Sequence, residues 1–386
     1  MPKNTATPSS SGWRGLGRLF KLLWAIPVTL LAVAAAIALT WAMQSRVPES
    51  GQLALPGLDA SVIIGRDDAT LPHVKAQSEH DAWFAMGWLH ASERGWQLAF
   101  NRRVVRGTLS ERLGPATLNT DKTLRTLGLY RAAKKQFDGL PNETQNALIA
   151  YAKGVNTFFA DEAQWLTPEF AILGEDPRAL ARQGTWWTPE DSVGWALVMA
   201  LDLGGNWGKE LRRMQLAARL DTEEVWQLMP PYPGDPPATN ADFAKLYREL
   251  GLYNASTGSL SQTSNPQQAQ RTDWNPVNNW QQQMGVATAA WFDRLGQVEG
   301  VGSNNWVVSG KRTNTGAPLL ANDPHLSLGA PASWYFAHIQ AKSTNGSPNV
   351  NAMGATLPGL PFVVLGRTDK VAWGFTNTNP DVQDLY

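Results

Sequence analysis

The longest uncharged, apolar stretch of the chain covers residues 22–43. At a rise of about 1.5 Å per residue, a helix over these positions is about 33 Å long, which is enough to cross the hydrocarbon core of a bilayer. Trp24 and Trp41 lie near its two ends, where interfacial aromatic side chains are common. The pattern predicts a transmembrane signal anchor at residues 22–43, preceded by a disordered, basic N-terminus at residues 1–21.

Two other interpretations of this apolar run stay open. A cleaved signal peptide usually has a shorter apolar core and a small-x-small cleavage site. The best candidate for such a site here, around Trp41-Ala42-Met43, is a poor match. A buried core helix does not account for the basic cluster in front of the run. Under the positive-inside rule that cluster keeps the N-terminus in the cytoplasm, so the rest of the chain is expected in the periplasm, anchored to the inner membrane. The run is preceded by Lys3, Arg14, Arg18 and Lys21, and only Arg46 follows it closely.

Residues 50–253 carry mostly helical patterns and predict a mostly helical upstream region. A helix is predicted from Ala82 to about Phe100, with Asp81 as its N-cap. Apolar side chains occur on several sides of this helix, so we expect it to be well buried. A short strand is predicted at 62–64, and further helices at 142–158, 187–203 and 210–220.

The pattern changes at about Asn254. Residues 254–302 begin with a long stretch of Ser, Gln, Asn and Thr, which is typical of a linker or an excised spacer. From Ser303 onwards, short β-type runs alternate with Gly, Asn and Asp turns, as in an antiparallel sheet. Helices followed by strands predict an α+β fold. The β-type runs are 306–308, 318–320, 334–336, 362–364 and 371–373.

The composition excludes several classes of function. Thirty-three basic and 33 acidic residues give a net charge of zero, which argues against a dedicated nucleic-acid-binding protein. The absence of cysteine removes disulfides, thiolate metal sites and cysteine nucleophiles. The sequence also lacks the nucleophile elbow of α/β-hydrolases, the His-Glu-x-x-His motif of zinc proteases and a phosphate-binding loop.

The segment from Gly300 to Gly310, GVGSNNWVVSG, carries the main functional signal. Together with the downstream stretch Asn322-Asp323-Pro324-His325, it resembles the penicillin acylase family of N-terminal-nucleophile hydrolases. The resemblance implies an αββα sandwich with a mostly helical upstream subunit. It also implies a precursor that cuts itself before a Ser-Asn pair, giving two subunits that form a heterodimer. Other matching positions are Arg66-Asp67, His73, Gly87, His90, Glu93-Arg94, Asn101-Arg102-Arg103, Gly205-Asn206-Trp207, Leu357-Pro358-Gly359 and Trp373-Gly374-Phe375-Thr376-Asn377.

Ser303 is the predicted nucleophile, and the bond between Gly302 and Ser303 is the predicted cleavage site. A serine hydroxyl is a weak nucleophile that needs an adjacent base. A free α-amine has a pKa of about 7.7–8.0 and can take the hydroxyl proton, directly or through one water. Cleavage of this bond creates both groups on one residue. Glycine before the serine lets the backbone adopt the strained geometry that an N→O acyl shift requires.

The resemblance also implies roles for residues around the nucleophile. His325 follows Ser303 by 22 positions and stands where the family has a Gln or His that orients the amine. Asn377 stands where a backbone N–H contributes to the oxyanion hole. Leu326 and Phe375 are placed in the acyl pocket, and their apolar side chains favour an aromatic or aliphatic acyl group.

A structural calcium site is implied by Asp381, Gln383 and Asp384, with Glu210 supplying a carboxylate from the upstream region. Hard oxygen ligands of this kind suit Ca²⁺, and Gln383 would offer its backbone carbonyl. The family's second oxyanion donor and some calcium ligands fall beyond the last residue. Residues 303–386 are therefore expected to be the start of a truncated nucleophile-bearing subunit.

Two functional hypotheses follow. The first is a membrane-anchored, periplasmic, self-processing acylase that hydrolyses the amide bond of small N-acyl compounds, of penicillin or acyl-homoserine-lactone type. Its acyl-enzyme would form on Ser303. The alternative is a non-catalytic, membrane-anchored envelope protein that uses the same scaffold as a binding module.

Overall fold

The computed structural model describes residues 11–46, 50–204, 222–229, 303–326, 329–343 and 349–377, together with positions 212, 216 and 220. For residues 11–23, 222, 223 and 226 it describes the backbone alone. The predicted linker, 254–302, lies outside these described residues. The chain divides into two compact units. One comprises Met1–Met199 and Glu299–Thr376, and the other comprises Ala200–Val298 and Asn377–Tyr386.

The predicted apolar span is a helix, α1, which extends from Ser11 to Gln44. Its part from Trp24 onwards is long and apolar enough to cross a membrane, and its most apolar window is not buried in the protein. Residues 11–21 were expected to be disordered but belong to this helix. Arg, Lys and Leu are good helix formers, and extending an existing helix costs less than starting one. Pro27 consequently lies in the helix interior.

The long helix of the upstream region, α2, spans Glu79–Arg106. Its N-cap is Ser78 and not the predicted Asp81, because the Ser78 hydroxyl accepts a hydrogen bond from the Asp81 N–H at 3.1 Å. Gly107 ends the helix in the left-handed conformation, with φ of 60°. Buried side chains lie on all sides of α2, so the predicted burial of this helix is confirmed.

α2 packs along a second helix, α6, which spans Asn142–Ala160 and begins at the predicted residue. The two backbones touch at two glycines. A Cβ on Gly87 would overlap the carbonyl oxygen of Tyr151, and a Cβ on Gly154 would overlap that of Phe84. Glycine at both positions therefore permits a helix contact closer than side chains would allow.

Ion pairs join shorter helices to the end of α2. Arg106 donates two hydrogen bonds to the buried Asp191, at 2.7 and 2.8 Å. Burial alone would raise the pKa of Glu175, but hydrogen bonds from Arg103 and Arg112 hold that pKa below its ordinary value. The remaining described helices are α3 (Ser110–Leu113), α4 (Leu118–Leu127), α5 (Leu129–Asp138), α7 (Pro168–Ile172), α8 (Arg178–Arg182), α9 (Pro189–Gly204) and α10 (Thr222–Leu228).

The described strands are β1 (Ile63–Arg66), β2 (Pro72–Ala76), β3 (Ser303–Val308), β4 (Leu319–Pro324), β5 (Tyr335–Ala341), β6 (Val350–Thr356), β7 (Val363–Arg367) and β8 (Ala372–Trp373). Six of them form one sheet in the order β1-β2-β5-β6-β7-β8, and β3 and β4 form a separate hairpin. The expected antiparallel sheet needs one correction, since β2 and β5 pair in parallel. Two strands from the upstream region therefore belong to the same sheet as strands from the downstream region.

Two of these strands, β2 and β6, were not predicted from the sequence pattern. β2 begins with a proline, and β6 contains Asn, Ala and Gly, which have low strand propensity. β6 is nevertheless a strand because it hydrogen-bonds to β5 on one side and to β7 on the other. Alternate residues of β5, among them Ala337 and Ile339, are buried in the core that this sheet forms with α2 and α6.

Candidate active site

Ser303, the predicted nucleophile, is the first residue of β3. The antiparallel pairing of β3 with β4 places it opposite Pro324. The predicted amine-orienting residue, His325, directly follows Pro324 in the chain. The hairpin therefore brings two positions that are well separated in the sequence to the same end of one pair of strands.

The His325 ring is oriented by Asp323. Its Nε2 lies 3.0 Å from the Asp323 Oδ2, and the histidine side chain is half-exposed. Hydrogen bonds from His325 and from Asn304 hold the pKa of the Asp323 carboxyl below its usual range. The described contact of this ring is thus with an ionised carboxylate, which sequence motifs had not assigned a role, rather than with Ser303 itself.

The side chain of Asn322 joins the start of β3 to the segment that follows β8. Its Nδ2 donates to the carbonyl oxygens of Asn304 and Phe375, both at 2.8 Å. Its Oδ1 accepts a hydrogen bond from the Phe375 N–H at 3.0 Å. One amide side chain therefore bonds both backbone groups of Phe375, as a neighbouring strand would, and holds Phe375 beside β3.

Thr376 adds a second connection at the same place. Its hydroxyl donates to the carbonyl oxygen of Ser303 at 2.9 Å. The close approach also depends on Gly374, because a Cβ at that position would lie 2.6 Å from the Asn322 Oδ1. Asn322 and Thr376 lie within segments that resemble the family pattern, but the resemblance implies a role for neither. Their hydrogen bonds to β3 are visible in the tertiary structure alone.

The remaining predicted site residues are placed as follows. The Asn377 side chain donates to the carbonyl oxygen of Leu203, within the second compact unit. Leu326 is half-buried and Phe375 is exposed, so their place in an acyl pocket stays a prediction. A cavity of about 630 Å³ lies elsewhere, between the end of α1 and residues 162–178.

The predicted calcium ligands lie outside the described residues. These are Glu210, Asp381, Gln383 and Asp384. Gly302, on the upstream side of the predicted cleavage site, also lies outside them. The calcium site and the cleavage geometry therefore stay predictions from the sequence.

A different group of potential metal ligands occurs at the start of α2. His80 Nδ1 lies 3.2 Å from Asp59 Oδ2 and 3.5 Å from Asp81 Oδ1. Asp81 already accepts hydrogen bonds from the Asp59 N–H and the Ser78 hydroxyl, both at 2.8 Å. These contacts give the cluster a structural role, because they attach the loop before α2 to the N-terminus of that helix.

His90, one of the motif positions on α2, is fully buried and uses both ring nitrogens. Nδ1 lies 2.8 Å from the Tyr151 hydroxyl, and Nε2 lies 3.1 Å from the Thr356 hydroxyl. Thr356 donates its own proton to the Tyr335 carbonyl at 2.7 Å, so it must accept from the histidine Nε2–H. Tyr151 then donates to Nδ1, while its oxygen accepts the Gly359 N–H at 2.8 Å.

This order of donors and acceptors requires the neutral Nε2–H tautomer of His90. Burial, assisted by the nearby Arg94, lowers the pKa of His90 to about 3, so the ring stays neutral. Burial likewise raises the pKa of Tyr151. The motif positions His90 and Gly359 are therefore structural, because they attach the loop after β6 to the two central helices.

A second motif position, Glu93, attaches α2 to the sheet. The Tyr335 hydroxyl donates to Glu93 at 3.0 Å, and Arg66 of β1 forms an ion pair with the same carboxylate. The next residue in the chain, Arg94, donates to the carbonyl oxygen of Ala332 at 3.2 Å. These upstream motif residues hold the downstream strands in place rather than contacting Ser303.

Two curated relatives resemble the chain along most of its length. The acyl-homoserine lactone acylase QuiP of Pseudomonas aeruginosa is 32% identical over 342 residues, which cover 88% of this chain and 36% of the relative. The penicillin acylase 2 proenzyme of Pseudomonas sp. strain SE83 is 30% identical over 357 residues, which cover 89% of this chain and 40% of the relative. The chain thus spans less than half the length of either relative.

A solved structure, the thermostable penicillin G acylase from Alcaligenes faecalis, aligns with a TM-score of 0.39 and 23% identity, over 47% of this chain and 97% of that chain. The sequence pattern of the penicillin amidase family matches residues 61–386, a range that includes Ser303 and every described strand. Because this match covers most of the chain, the chain belongs to the penicillin amidase family.

Proposed function

We propose that the chain is part of a self-processing acylase that hydrolyses the amide bond of small N-acyl compounds. The observation that carries the proposal is the family match over residues 61–386, with a serine in a Ser-Asn pair at the first position of β3. The names of the two relatives favour acyl-homoserine lactones or penicillins as the substrate class. Because the chain covers 36% and 40% of those relatives, the proposal concerns the activity of the whole protein.

The first step is cleavage of the chain itself, on the αββα scaffold expected for this family. The Ser303 hydroxyl attacks the carbonyl carbon of Gly302, and the peptide bond between the two residues becomes an ester as the nitrogen gains a proton. Water then hydrolyses the ester, which releases Gly302 as a carboxylate and leaves Ser303 with a free α-amine. The amine is the base that the hydroxyl needs, so processing and activity depend on the same residue.

Turnover uses the same hydroxyl. Ser303 Oγ attacks the amide carbonyl of the substrate, while the α-amine accepts the hydroxyl proton and passes it to the leaving amine. The acyl-enzyme ester is then hydrolysed by water, which restores the hydroxyl and releases the carboxylic acid. His325, held by Asp323, orients the amine in this proposal, and the backbone N–H of Asn377 stabilises the oxyanion.

The proposal includes a structural calcium ion held by Glu210, Asp381, Gln383 and Asp384. Three carboxylates and one backbone carbonyl are the hard oxygen donors that Ca²⁺ takes, so the chemistry of this set fits the ion. Bound calcium would contribute to folding by connecting distant parts of the chain. We expect Glu210→Ala in the full-length protein to impair maturation more than the activity of the matured fraction. Normal maturation, without bound calcium in either protein, would contradict this.

The helix α1 supports a membrane anchor with its N-terminus in the cytoplasm and the catalytic region in the periplasm. Four basic residues precede its apolar part, and Trp24 and Trp41 lie near the two ends of that part. A reporter that is active only in the periplasm, fused after Glu49, should give a signal. A signal from a cytoplasm-only reporter at that position would reverse the orientation.

Self-cleavage tests the proposed function most directly. The purified full-length protein should split without added protease, and N-terminal sequencing of the downstream fragment should begin at Ser303. Ser303→Ala should give an uncut, inactive precursor, and Ser303→Cys should cut but hydrolyse much less. Ser309→Ala, after the other end of β3, is the matched control and should process normally. An intact wild-type chain that hydrolyses no N-acyl substrate would favour the non-catalytic binding protein instead.

A further inference from the structure

The contact between β3 and the segment after β8 is made by side chains. In the part of the chain that the structure describes, the β3–β4 hairpin and the six-stranded sheet share no strand pairing. The connection consists of the Asn322 amide, which bonds Asn304 and both backbone groups of Phe375, and the Thr376 hydroxyl, which bonds Ser303. Four hydrogen bonds thus set the position of the segment after β8 relative to β3. Each of these two segments carries part of the proposed site.

We propose that Asn322 and Thr376 are positioning residues of the hydrolytic site. They hold the backbone of Phe375 and Thr376 in register with the carbonyl groups of Ser303 and Asn304. The next N–H along the chain is the proposed oxyanion donor. An oxyanion hole works only when its donor already points to where charge develops, and a shift of about 1 Å can cost about 100-fold in rate. The inference rests on the proposed function and adds two residues to it.

Isosteric substitutions test the positioning role without opening a cavity. Asn322→Asp keeps the shape and the acceptor for the Phe375 N–H, but it replaces the Nδ2 donor with an oxygen that repels the carbonyls of Asn304 and Phe375. Thr376→Val removes only the hydroxyl that bonds Ser303. The matched control is Thr313→Val, in the loop of the same hairpin, where the hydroxyl bonds the carbonyls of Gly310 and Ala317.

The readouts are kcat and KM on a chromogenic N-acyl anilide, the fraction of chains cut at Ser303, and the Tm. We expect Asn322→Asp to lower kcat by about 100-fold with little change in KM, and Thr376→Val to lower it less. The Tm of both variants should match that of Thr313→Val, whose kcat stays near wild type. An unchanged kcat, or an equal loss of kcat in Thr313→Val, would overturn the positioning role. An inactive, uncut wild-type protein would overturn the proposed function together with it.

A different observation concerns the end of α1. The indole N–H of Trp41 donates to the carbonyl oxygen of Leu166 at 2.7 Å, and its ring meets Trp165 edge-on, with 6.4 Å between centroids. The loop around residue 165 is therefore attached to the helix where its apolar part ends. If α1 spans a bilayer, this loop must lie at the bilayer surface.

The short helices α7 and α8, whose residues line a cavity together with Trp41 and Trp165, carry exposed apolar side chains. Ile172 is 78% exposed, and Trp165 and Leu180 are also exposed. The two nearby arginines are paired with carboxylates, Arg182 with Glu162 at 2.8 Å and Arg178 with Asp176 at 3.6 Å. The exposed Glu169 of α7 is a further acidic group, so these positions carry no excess of basic charge. Exposed tryptophan and aliphatic side chains are suited to the interfacial region of a lipid bilayer.

We infer that this surface, formed by Trp165, Ile172 and Leu180, rests in the lipid interface. The inference depends on the proposed membrane anchor and is independent of the hydrolytic site. It makes the upstream region a membrane-contacting body rather than a domain that is free on a tether. Because these positions carry no excess of basic charge, we expect the contact to need no anionic lipid.

The absence of native cysteine makes a site-specific test possible. Ile172→Cys in the full-length protein carries a fluorophore, and the protein is placed in phosphatidylcholine nanodiscs that contain nitroxide-labelled lipid. The label at 172 should be quenched several-fold more than the same label at Leu127→Cys, an exposed control on α4. Equal quenching of the two labels in disc-bound protein, or quenching that requires added phosphatidylglycerol, would overturn the inference. Protein that does not co-purify with the discs would overturn the anchor as well.

Discussion

At the scale of single residues, His90 shows how a buried side chain can organise three parts of the fold. It lies on α2 and hydrogen-bonds to Tyr151 of α6 and to Thr356 of β6. Both ring nitrogens are satisfied, which is the usual condition for burying a polar group. In this network the Nδ1 atom accepts a hydrogen bond, so it cannot also carry a proton. The folded structure therefore requires the neutral imidazole.

The stability of the protein should therefore fall at mildly acidic pH. Burial lowers the pKa of His90 to about 3 in the folded state, against about 6.5 when unfolded. Between these values the unfolded chain binds more protons, so the unfolding free energy is fully present above pH 6.5 and falls by up to about 1.4 kcal/mol per pH unit below it. Urea unfolding at pH 7, 6 and 5 measures this slope. His90→Gln should be less stable at pH 7 but should show a shallower slope, and equal slopes would contradict the assignment.

Tyr151→Phe removes one oxygen from the same network. Its loss leaves the Gly359 N–H and the His90 Nδ1 buried without their partner, which should cost about 1–3 kcal/mol for each group. The matched control is Tyr130→Phe, whose ring remains to contact Arg106, and its unfolding free energy should change little. Hydrogen exchange of the Gly359 amide provides a local readout, and protection that is unchanged in Tyr151→Phe would contradict the proposed bond.

At the scale of elements, α2 and α6 pack so closely that glycines lie at their contact. Gly87 and Gly154 each face a backbone carbonyl of the other helix. Neither glycine needs a positive φ, so their role is steric and not conformational. The core aromatic side chains, among them Phe159 and Trp186, pack around this contact.

Gly87→Ala should separate the two helices. The added Cβ would overlap the carbonyl oxygen of Tyr151, and relief requires movement of backbone, which costs about 1–3 kcal/mol or more. Gly139→Ala is the control, because its Cβ would lie at an ordinary 3.6 Å from the nearest atom, the carbonyl oxygen of Gln136. Thermal unfolding should show a lower Tm for the first variant alone. Equal Tm values would show that the helices tolerate the added methyl group.

At the scale of the whole molecule, the six-stranded sheet contains strands from both sides of the predicted cleavage site in the chain. β1 and β2 precede Ser303 in the chain, whereas β5 to β8 follow it. The parallel ladder from His73–His338 to Ala76–Ala341 joins the two groups. The hydrogen bond between Glu93 of α2 and Tyr335 of β5 is a second connection between the parts of the chain before and after Ser303. Cleavage before Ser303 would therefore produce two fragments that share one sheet.

We expect the two fragments to stay together after cleavage, although no disulfide can join them. They should co-elute in gel filtration under native conditions and separate only when denatured. Val74→Ala, at a fully buried position of β2, should weaken this association. Lys75→Ala, at an exposed position of the same strand, should not. Separate elution of native wild-type fragments would contradict the shared sheet.

Local features of the fold could be predicted from the sequence. Helix α6 begins at the predicted Asn142, and β3 contains the predicted run 306–308, because periodicity and turn residues act over a few positions. The sequence predicts Asp81 as the cap of α2, but the cap is Ser78, because both are good capping residues and only the backbone geometry decides between them. β6 was missed because its weak local propensity is overridden by strands on both sides.

By itself, the sequence determined the apolar span, the absence of cysteine chemistry and the Ser-Asn pair at residue 303, because each is written in contiguous residues. The family resemblance also predicted a place for His325 near that serine. Only the tertiary structure decided that His73 pairs with His338, 265 positions away, and that Asn322 connects β3 to Phe375. Contacts of this kind depend on how distant segments align in space and on where individual donors point, and neither is encoded in local spacing.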